Sequence, residues 1–418
     1  MLKIYIKQAF QLCKENPLVS TISIIGSAIS IAMIMVVVLV FQIRYANFPP
    51  EDKRDRMMYV SGTVAASQDE TNRGYMSVEV VKECFYALQT PEAVSAYNKM
   101  LRPVSLPGKR LYKEYSISLT DPAFWKIFSF RFVEGKPFTE ADFQSGIRTA
   151  VVSEELARDL FGTTAVVGET IISDFLTFTI CGVVRDVSLA ASDAYAHMWI
   201  PYTTDESGLQ TSKHEGISGV FRVNILAHKQ KDFNAIREEL TKKTAQYNET
   251  KKNYTVNFLQ NPITRLDVAM GSHGFKKANA MDFMLSTGGI LLFLILIPAF
   301  NLTGVAQSSV QQRHAEVGVR KAFGATGGKI IHQVIYENLI TTLTGGVIGF
   351  FLSFLLLYLC RSFLLDSSPA LNTSMLFKPF TFVVALLFVL LLNLLSAIIP
   401  AVRISRLSTV DALRDDTV

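Results

Sequence analysis

The sequence predicts an α-helical membrane protein with four transmembrane helices, plus a large extracytoplasmic α/β domain inserted between the first and second spans. Composition points to a membrane protein, because 49% of the 418 residues are hydrophobic and only 18% are charged. Soluble domains carry about 25% charged residues. Four apolar runs each reach about 20 residues, the length that a helix needs to cross a bilayer. The long segment between the first two runs contains both strand and helix patterns.

The first predicted span covers residues 18–41, which include no charged side chain. This run is longer than the apolar core of a signal peptide, about 7–15 residues, so we interpret it as an uncleaved anchor. Ahead of it, residues 1–17 place apolar side chains on one helical stripe and Lys3, Lys7 and Lys14 on the other face. This pattern predicts an amphipathic cytoplasmic helix that lies in the membrane plane and contacts lipid. The remaining spans are predicted at 283–305, 334–360 and 380–402.

Lysine and arginine near the span ends indicate the orientation, because they are enriched in cytoplasmic loops. The N-terminal segment, the segment 306–333 and the tail 403–418 each carry three or more such cations. The loop 361–379 carries only Arg361 and Lys378. We therefore expect both termini and 306–333 in the cytoplasm, and 361–379 and 42–282 outside the bacterial cytoplasmic (inner) membrane.

The segment 42–282 is predicted to form a mixed α/β domain with two subdomains. A short apolar strand runs into a helix whose first residue follows Ser153, a residue type that caps helix N-termini. Residues Phe233, Ile236 and Leu240 recur at helical spacing and predict an amphipathic helix. The run "TFTICGVVRDV" predicts a strand. The polar stretch 61–74 is predicted to be a flexible loop, and 103–107 a turn.

Enzyme and metal sites are not indicated. The run "GATGGKI" resembles a phosphate-binding loop, but only three residues separate Gly324 from Gly328 and no Ser or Thr follows Lys329. The six histidines lack paired ligand spacing, and no nucleophile motif occurs. We expect no catalytic residue, cofactor, metal or nucleic-acid partner. Of the cysteines, Cys84 and Cys181 share the outer block; two free thiols are favoured over a disulfide.

The segment 306–333 has the pattern of a protein-docking helix. Ala315, Val319, Ala322 and Phe323 form a small apolar stripe, and Glu316 precedes Arg320 by four residues, the favourable order for a helical ion pair. A merely positive loop needs scattered cations, without such patterning. The candidate docking residues are Glu316, Gly318, Val319, Arg320, Lys321, Ala322, Phe323 and Gly324.

Two polar features within the predicted spans stay open. Asn301 and Asn393 each need a hydrogen-bond partner in lipid. Either another helix of a dimer supplies it, or the asparagines satisfy backbone groups freed by nearby prolines. Gly345 and Gly349 are spaced as in a helix-packing face, although the same spacing also arises by chance.

Several stretches resemble one known family. "AEVGVRKAFGA" (315–325) is similar to the signature of MacB/FtsX-type (type VII, mechanotransmission) ABC transporter permeases, and "PAVRISRLSTVDALR" (400–414) resembles the family's C-terminal ending. Residues 121–138 and 151–171 resemble its outer domain more loosely. The MacB exporter carries a fused ATPase domain that has no counterpart in this sequence, so the resemblance implies a permease with a separate ATPase.

The resemblance implies a mechanism that the residues alone do not. Two permeases, identical or different, pair with two cytoplasmic ABC ATPases, and the coupling helix 306–333 passes the ATPase stroke to the spans. The outer domain then moves, which drives efflux or extraction of a substrate from the periplasm or outer leaflet, with a periplasmic adaptor or outer-membrane partner. Regulation of cell-wall hydrolases and lipoprotein release are the alternatives. A membrane enzyme is disfavoured because site motifs are missing.

Overall fold

The computed structural model describes residues 17–109, 112–210, 212–259, 261–272 and 326–359, and the single positions 279, 281, 285, 288, 289, 323, 383, 386, 387, 390 and 391. The chain divides into two compact units. The helical unit comprises Met1–Gln42, Met284–Asp366 and Leu376–Val418. The α/β unit comprises Ile43–Phe283 and Ser367–Met375.

The described helices differ widely in length. They are α1 (Pro17–Tyr45), α2 (Val78–Val80), α3 (Phe124–Ile127), α4 (Glu140–Gln144), α5 (Glu154–Phe161), α6 (Glu206–Gln210), α7 (Phe233–Glu249), α8 (Arg265–Ala269) and α9 (Gly327–Leu359). A π-helix, Val81–Tyr86, continues α2, and short 3-10 turns occupy Arg54–Arg56, Tyr202–Thr204 and Gln230–Asp232. Within the described part of the chain, no helix is both long enough and apolar enough to cross a membrane.

Most predicted membrane segments fall largely outside the described residues. This applies to the in-plane helix 1–17, the spans 283–305 and 380–402, the loop 361–379 and the tail 403–418. Helix α1 overlaps the predicted span 18–41, and α9 overlaps 334–360. The four-span arrangement stays a prediction.

The α/β unit is built on a ten-stranded sheet and a four-stranded sheet. The strands are β1 (Met57–Val60), β2 (Thr63–Ala66), β3 (Thr71–Met76), β4 (Ala93–Ser105), β5 (Lys113–Thr120), β6 (Phe132–Gly135), β7 (Thr149–Ser153), β8 (Thr170–Ser173), β9 (Leu176–Val184), β10 (Met198–Pro201), β11 (Ser218–Gly219), β12 (Arg222–Leu226), β13 (Thr255–Asn257) and β14 (Ile263–Thr264). The large sheet has the order β14-β1-β12-β4-β5-β10-β7-β9-β6, and β8 pairs with both β4 and β9. These pairings close a ring of six strands, β4-β5-β10-β7-β9-β8.

Two apolar clusters lie on the two faces of the large sheet, because successive side chains of a strand point to opposite faces. In β10, Met198 and Ile200 belong to the first cluster and Trp199 to the second. The first cluster contains the buried side of α7, from which Phe233, Ile236 and Leu240 pack inward. The second is rich in aromatic rings, including Phe124, Phe128, Phe138 and Trp199. The α/β fold class of this domain was predicted correctly.

Several local predictions are confirmed. The Ser153 side chain accepts a hydrogen bond from Leu156 N at 3.2 Å, so it caps α5 as its residue type indicated. Helix α7 and strand β9 also lie where their patterns place them. The smaller sheet has the order β11-β3-β2-β13. Its strand β13 lies in "NYTVNFLQ", whose alternation predicts a strand, and the other three strands were missed.

The prediction that 61–74 is a flexible loop was wrong. The stretch contains β2 and most of β3, joined by a tight turn in which Ser67 N donates to Glu70 O at 2.8 Å. Side chains of β3 alternate between more and less exposed positions, so the strand lacks an apolar pattern and is held by pairing with β2 and β11. The turn predicted at 103–107 begins too early, since Pro103 lies inside β4. Among the described strands, Pro103 pairs with β5 alone. Proline is accepted at such open edges.

The β13 edge of the smaller sheet is closed by a side chain. The amide of Asn248, near the end of α7, accepts from Val256 N at 2.7 Å and donates to Val256 O at 3.0 Å. It therefore makes the two hydrogen bonds that a neighbouring strand would make with β13.

Candidate functional site

The predicted coupling segment 306–333 is described only in part. Glu316, Gly318, Val319, Arg320, Lys321, Ala322 and Gly324 lie outside the described residues. Phe323 is described, and 87% of its side chain is exposed. Helix α9 begins at Gly327, within the segment, and continues to Leu359.

Helix α9 contacts α1 through two glycines. A methyl group added at Gly345 would lie 2.8 Å from Ser27 Cβ, and one added at Gly349 would lie 2.6 Å from Ala28 O. Real Cβ atoms essentially never come within 3.0 Å of another heavy atom in this way, so both positions favour glycine. Close backbone approach at small residues is typical of helix–helix contacts in membranes. The spacing of these two glycines therefore reflects a packing face, one of the two interpretations of the sequence.

A buried ion pair lies where α1 ends. Arg54 and Glu51 are both fully buried, and Arg54 Nε donates to Glu51 Oε2 at 2.6 Å. Arg54 Nη1 donates to Ile43 O at 2.8 Å and to Ala46 O at 3.1 Å. Its Nη2 donates to Ala190 O at 2.6 Å, on the connection between β9 and β10. One guanidinium therefore bonds both the end of α1 and a distant loop of the α/β unit.

A second arginine repeats this arrangement. Arg265, the first residue of α8, donates from Nε to Arg44 O at 2.7 Å and approaches Asp193 Oδ2 with Nη1 at 3.6 Å. The Glu51 carboxylate accepts from Asp193 N at 2.9 Å and from Ala194 N at 3.0 Å. We call Glu51, Arg54, Asp193 and Arg265 the clamp.

The charges of the clamp act on one another both favourably and unfavourably. Burial disfavours ionisation of Glu51, but Arg54, Arg265 and the Ala194 N–H outweigh it and hold the pKa of this carboxyl below its usual range. Burial and then the neighbouring Glu51 raise the pKa of Asp193. Lys99 donates to Ser192 O beside the clamp, and desolvation lowers its pKa to about 8.

The clamp satisfies groups that a helix leaves unpaired. The last carbonyls of an α-helix have no intrahelical donor and carry partial negative charge, which cations stabilise. Arg54 and Arg265 supply such donors to the end of α1. Removing one partner of a buried ion pair typically costs about 3–5 kcal/mol, because it leaves an uncompensated charge. Within the α/β unit, the residues that end α1 are thus held by the clamp.

The clamp was not predicted from the sequence. Its members come from the loop after α1, the connection between β9 and β10, and the start of α8, so no local pattern unites them. The only sequence signal is the density of charges in "EDKRDR", residues 51–56, directly after an apolar run.

An open groove of about 510 Å³ lies between α7 and β13. Much of its polar lining already has partners within the chain: Thr241 and Thr244 donate to carbonyls of their own helix, and Asn248 bonds Val256. Among the described residues no group of three metal-ligating side chains occurs. Cys84 and Cys181 are free thiols, as favoured from the sequence, and burial raises their pKa values to about 12 and 11.

Two family models match the chain in succession. The MacB-like periplasmic core domain matches residues 20–243, and the FtsX-like permease C-terminal matches 288–409. This combination of an outer α/β domain and a permease region defines the class: an ABC transporter permease. Within that class, the chain belongs to the MacB/FtsX family.

Individual relatives are distant. The "uncharacterized ABC transporter permease YknZ" of Bacillus subtilis is 24% identical over 262 residues, 62% of each chain. The "macrolide export ATP-binding/permease protein MacB" of Burkholderia lata is 24% identical over 330 residues, 78% of this chain and 45% of the relative. The chain thus spans less than two thirds of either relative.

Two solved structures resemble part of the chain. The extracellular domain of YknZ from Gram-positive bacteria has 16% identity and a TM-score of 0.34, and covers 46% of this chain and 89% of that one. The periplasmic region of MacB from Actinobacillus actinomycetemcomitans has 12% identity and a TM-score of 0.36. That match covers 50% of this chain and 90% of that one.

Proposed function

We propose that this chain is the permease subunit of an ABC transporter in which a separate cytoplasmic ATPase moves the α/β unit. That movement drives efflux or extraction of a substrate from the periplasm or outer leaflet. Family membership supports the permease role, and the MacB relatives are named as ATP-binding permeases for macrolide export. The chain would work as a pair with a second permease, identical or different.

The proposal includes four spans, with both termini in the cytoplasm and the α/β unit outside. Its support is the four apolar runs and the asymmetry of lysine and arginine. The name of the family model that matches 20–243 is that of a periplasmic domain. A periplasmic adaptor or outer-membrane partner is part of the proposal only by analogy with that family.

The observation that carries the proposal is the continuity of α9 with the predicted coupling segment. Helix α9 begins inside 306–333 and contacts α1 at Gly345 and Gly349. A force on the segment would therefore reach α1 through directly packed backbone. Phe323 precedes α9 in the chain and is 87% exposed, so it is available to a partner protein.

Transport is favoured over regulation of cell-wall hydrolases. The α/β unit, Ile43–Phe283 with Ser367–Met375, is large for the cell-division branch of the family. Release of lipoproteins stays an alternative function for the same ATP-driven movement.

The test is recovery of the ATPase with the full-length chain from its native membrane. Phe323→Ala should sharply reduce recovery, because a buried interface anchor contributes about 2 kcal/mol or more. Gly318→Leu should block docking by bulk. Arg320→Ala should weaken recovery more at low salt than at high salt, because rim charges are screened.

The matched control is Phe175→Ala, which truncates a phenylalanine that is 96% exposed in the α/β unit. This variant should recover the ATPase normally. Normal recovery with both Phe323→Ala and Gly318→Leu would remove the docking role from the segment.

A further inference from the structure

We propose that the groove between α7 and β13 binds an anionic amphiphile, with the apolar chain along its base and the anionic headgroup at Arg237. The groove has a volume of about 510 Å³. Ligand sites in proteins commonly measure about 300–1,000 Å³. The inference concerns binding alone and does not depend on the proposed permease function.

The base of the groove is apolar. Leu240 of α7, Val256 of β13 and the following Phe258 line it, and all three are buried members of the first apolar cluster. Ala245 and Leu259 add exposed apolar surface beside them. Such a lining suits an alkyl chain, because removing apolar surface from water is favourable.

Leu259 is held beside the groove in a conformation that leucine rarely adopts. Its φ is 53°, in the left-handed region that glycine favours. Its N–H donates to Asn257 Oδ1 at 2.5 Å, and 46% of the residue stays exposed. Strained backbone is found preferentially at ligand sites. A bound alkyl chain would cover this exposed leucine.

Arg237 gives the groove its charge. Of the described residues that line the groove, Arg237 alone is charged. Its Nε and Nη2 each donate to Pro262 O at 3.3 Å, and its Nη1 donates to Asn234 Oδ1 at 3.2 Å, so these acceptors are all neutral. The bonds are longer than the usual N–H···O distance of about 2.9–3.0 Å. A carboxylate or phosphate would make shorter, charge-assisted bonds with the same guanidinium.

The hydrogen bonds within the groove disfavour a peptide as the ligand. An extended peptide adds to a sheet through the N–H and C=O of an edge strand. In β13 these groups of Val256 are bonded to the Asn248 amide. Thr241 and Thr244 donate their hydroxyl protons to carbonyls of α7. Recognition therefore depends on the apolar surface and on the charge of Arg237.

The test is photo-crosslinking to the full-length chain in lipid nanodiscs. The probe is decanoic acid with a diazirine on its chain, and the neutral probe is the corresponding alcohol. Mass spectrometry of the digested protein separates crosslinks at the groove from crosslinks elsewhere in the chain. The acid should label the groove about tenfold more efficiently than the alcohol does, because a hydrogen bond to a charged group is worth at least that factor. Competition by unlabelled decanoate and by decyl phosphate distinguishes a carboxylate headgroup from a phosphate.

Three variants separate charge from shape. Arg237→Gln should lower labelling by the acid about tenfold and leave labelling by the alcohol unchanged. Lys242→Gln is the matched control, because it removes the same charge from an exposed position of α7 outside the groove lining, and it should label normally. Ala245→Trp should reduce labelling by both probes, because an indole at this exposed lining position would fill the groove.

Equal labelling of the groove by the acid and the alcohol, or undiminished labelling of Arg237→Gln by the acid, would overturn the inference. If Arg237→Gln fails to fold, Ala245→Trp decides, since unchanged labelling by both probes would show that neither occupies the groove. A photo-reactive residue in place of Ala245 tests for a protein in native membranes. Capture of a protein there, including a second copy of this chain, would also overturn the inference. These results do not involve recovery of the ATPase, so they are distinct from the test of the permease function.

Discussion

Asp121 shows at the scale of one residue how burial can outweigh good hydrogen bonding. Its carboxylate accepts from Tyr86 OH, from Ala96 N at 2.7 Å and from Phe124 N at 3.1 Å. These bonds favour the charged form, yet burial is the larger effect and raises the pKa to about 6 from 3.8. The residue joins the π-helix, β4 and α3.

This shift predicts a pH dependence of stability. The folded chain binds the Asp121 proton more tightly than the unfolded chain does. Protonation of Asp121 therefore contributes fully to the free energy of unfolding below pH 3.8, and this contribution is lost as the pH rises to about 6. The excess unfolding free energy of wild type over Asp121→Asn should therefore fall by roughly 3 kcal/mol at most over that range. Denaturation in detergent, followed by tryptophan fluorescence, measures it, since both tryptophans lie in the α/β unit.

Asp142→Asn is the control for that experiment. The Thr139 backbone N–H and hydroxyl lower the pKa of Asp142, so its contribution is lost only as the pH falls below its usual value of 3.8. The difference between wild type and Asp142→Asn should be flat from pH 4 to 6.5. A flat difference for Asp121→Asn as well would contradict the assignment of the shift to burial.

Elements were predicted from sequence where one local rule decided the outcome. Ser153 marks the start of α5, and the spacing of Phe233, Ile236 and Leu240 marks the buried face of α7. Strand β3 escaped prediction because pairing with β2 and β11, not an apolar pattern, holds it. The clamp escaped for the same kind of reason, as its members meet only after the sheet has formed.

The contact between α1 and α9 gives a prediction for one element. Gly349→Ala should destabilise the full chain, because the new methyl group would lie 2.6 Å from Ala28 O. Overpacking of this kind costs about 1–3 kcal/mol. The measurement is the midpoint of thermal unfolding in detergent.

Gly328→Ala is the matched control on the same helix, because no described atom beyond its chain neighbours and its own helix backbone lies within 4 Å of the added group. It should leave the midpoint unchanged or raise it, since alanine favours helix by about 1 kcal/mol over glycine. Equal midpoints for the two variants would argue against close packing of α9 on α1.

For the whole molecule, the sequence alone indicates a permease family, because the signatures of that family are short and specific runs of residues. The family models support that identification over two consecutive regions. Orientation rests on the distribution of charges along the chain, which is a property of the whole sequence. The orientation is therefore tested by the accessibility of single residues from each side of the membrane.

Cysteines introduced at Asn72 and Lys213, both in the α/β unit, should react with an impermeant maleimide added to intact cells or spheroplasts. Cysteines at Gln311 and Ser408 should react only after the membrane is opened, because the positive-inside rule assigns both to the cytoplasm. Gel-shift labelling measures each. Reaction of Gln311→Cys from outside would be incompatible with four spans in this orientation.

The hydrogen bonds of the Asn248 amide have a consequence for aggregation. An open strand edge invites another chain to add a strand, which is the first step of aggregation. Because Asn248 bonds both the N–H and the C=O of Val256, these groups of β13 are not free to pair with a strand of another chain. The β13 edge is thereby protected from pairing with a strand of another copy.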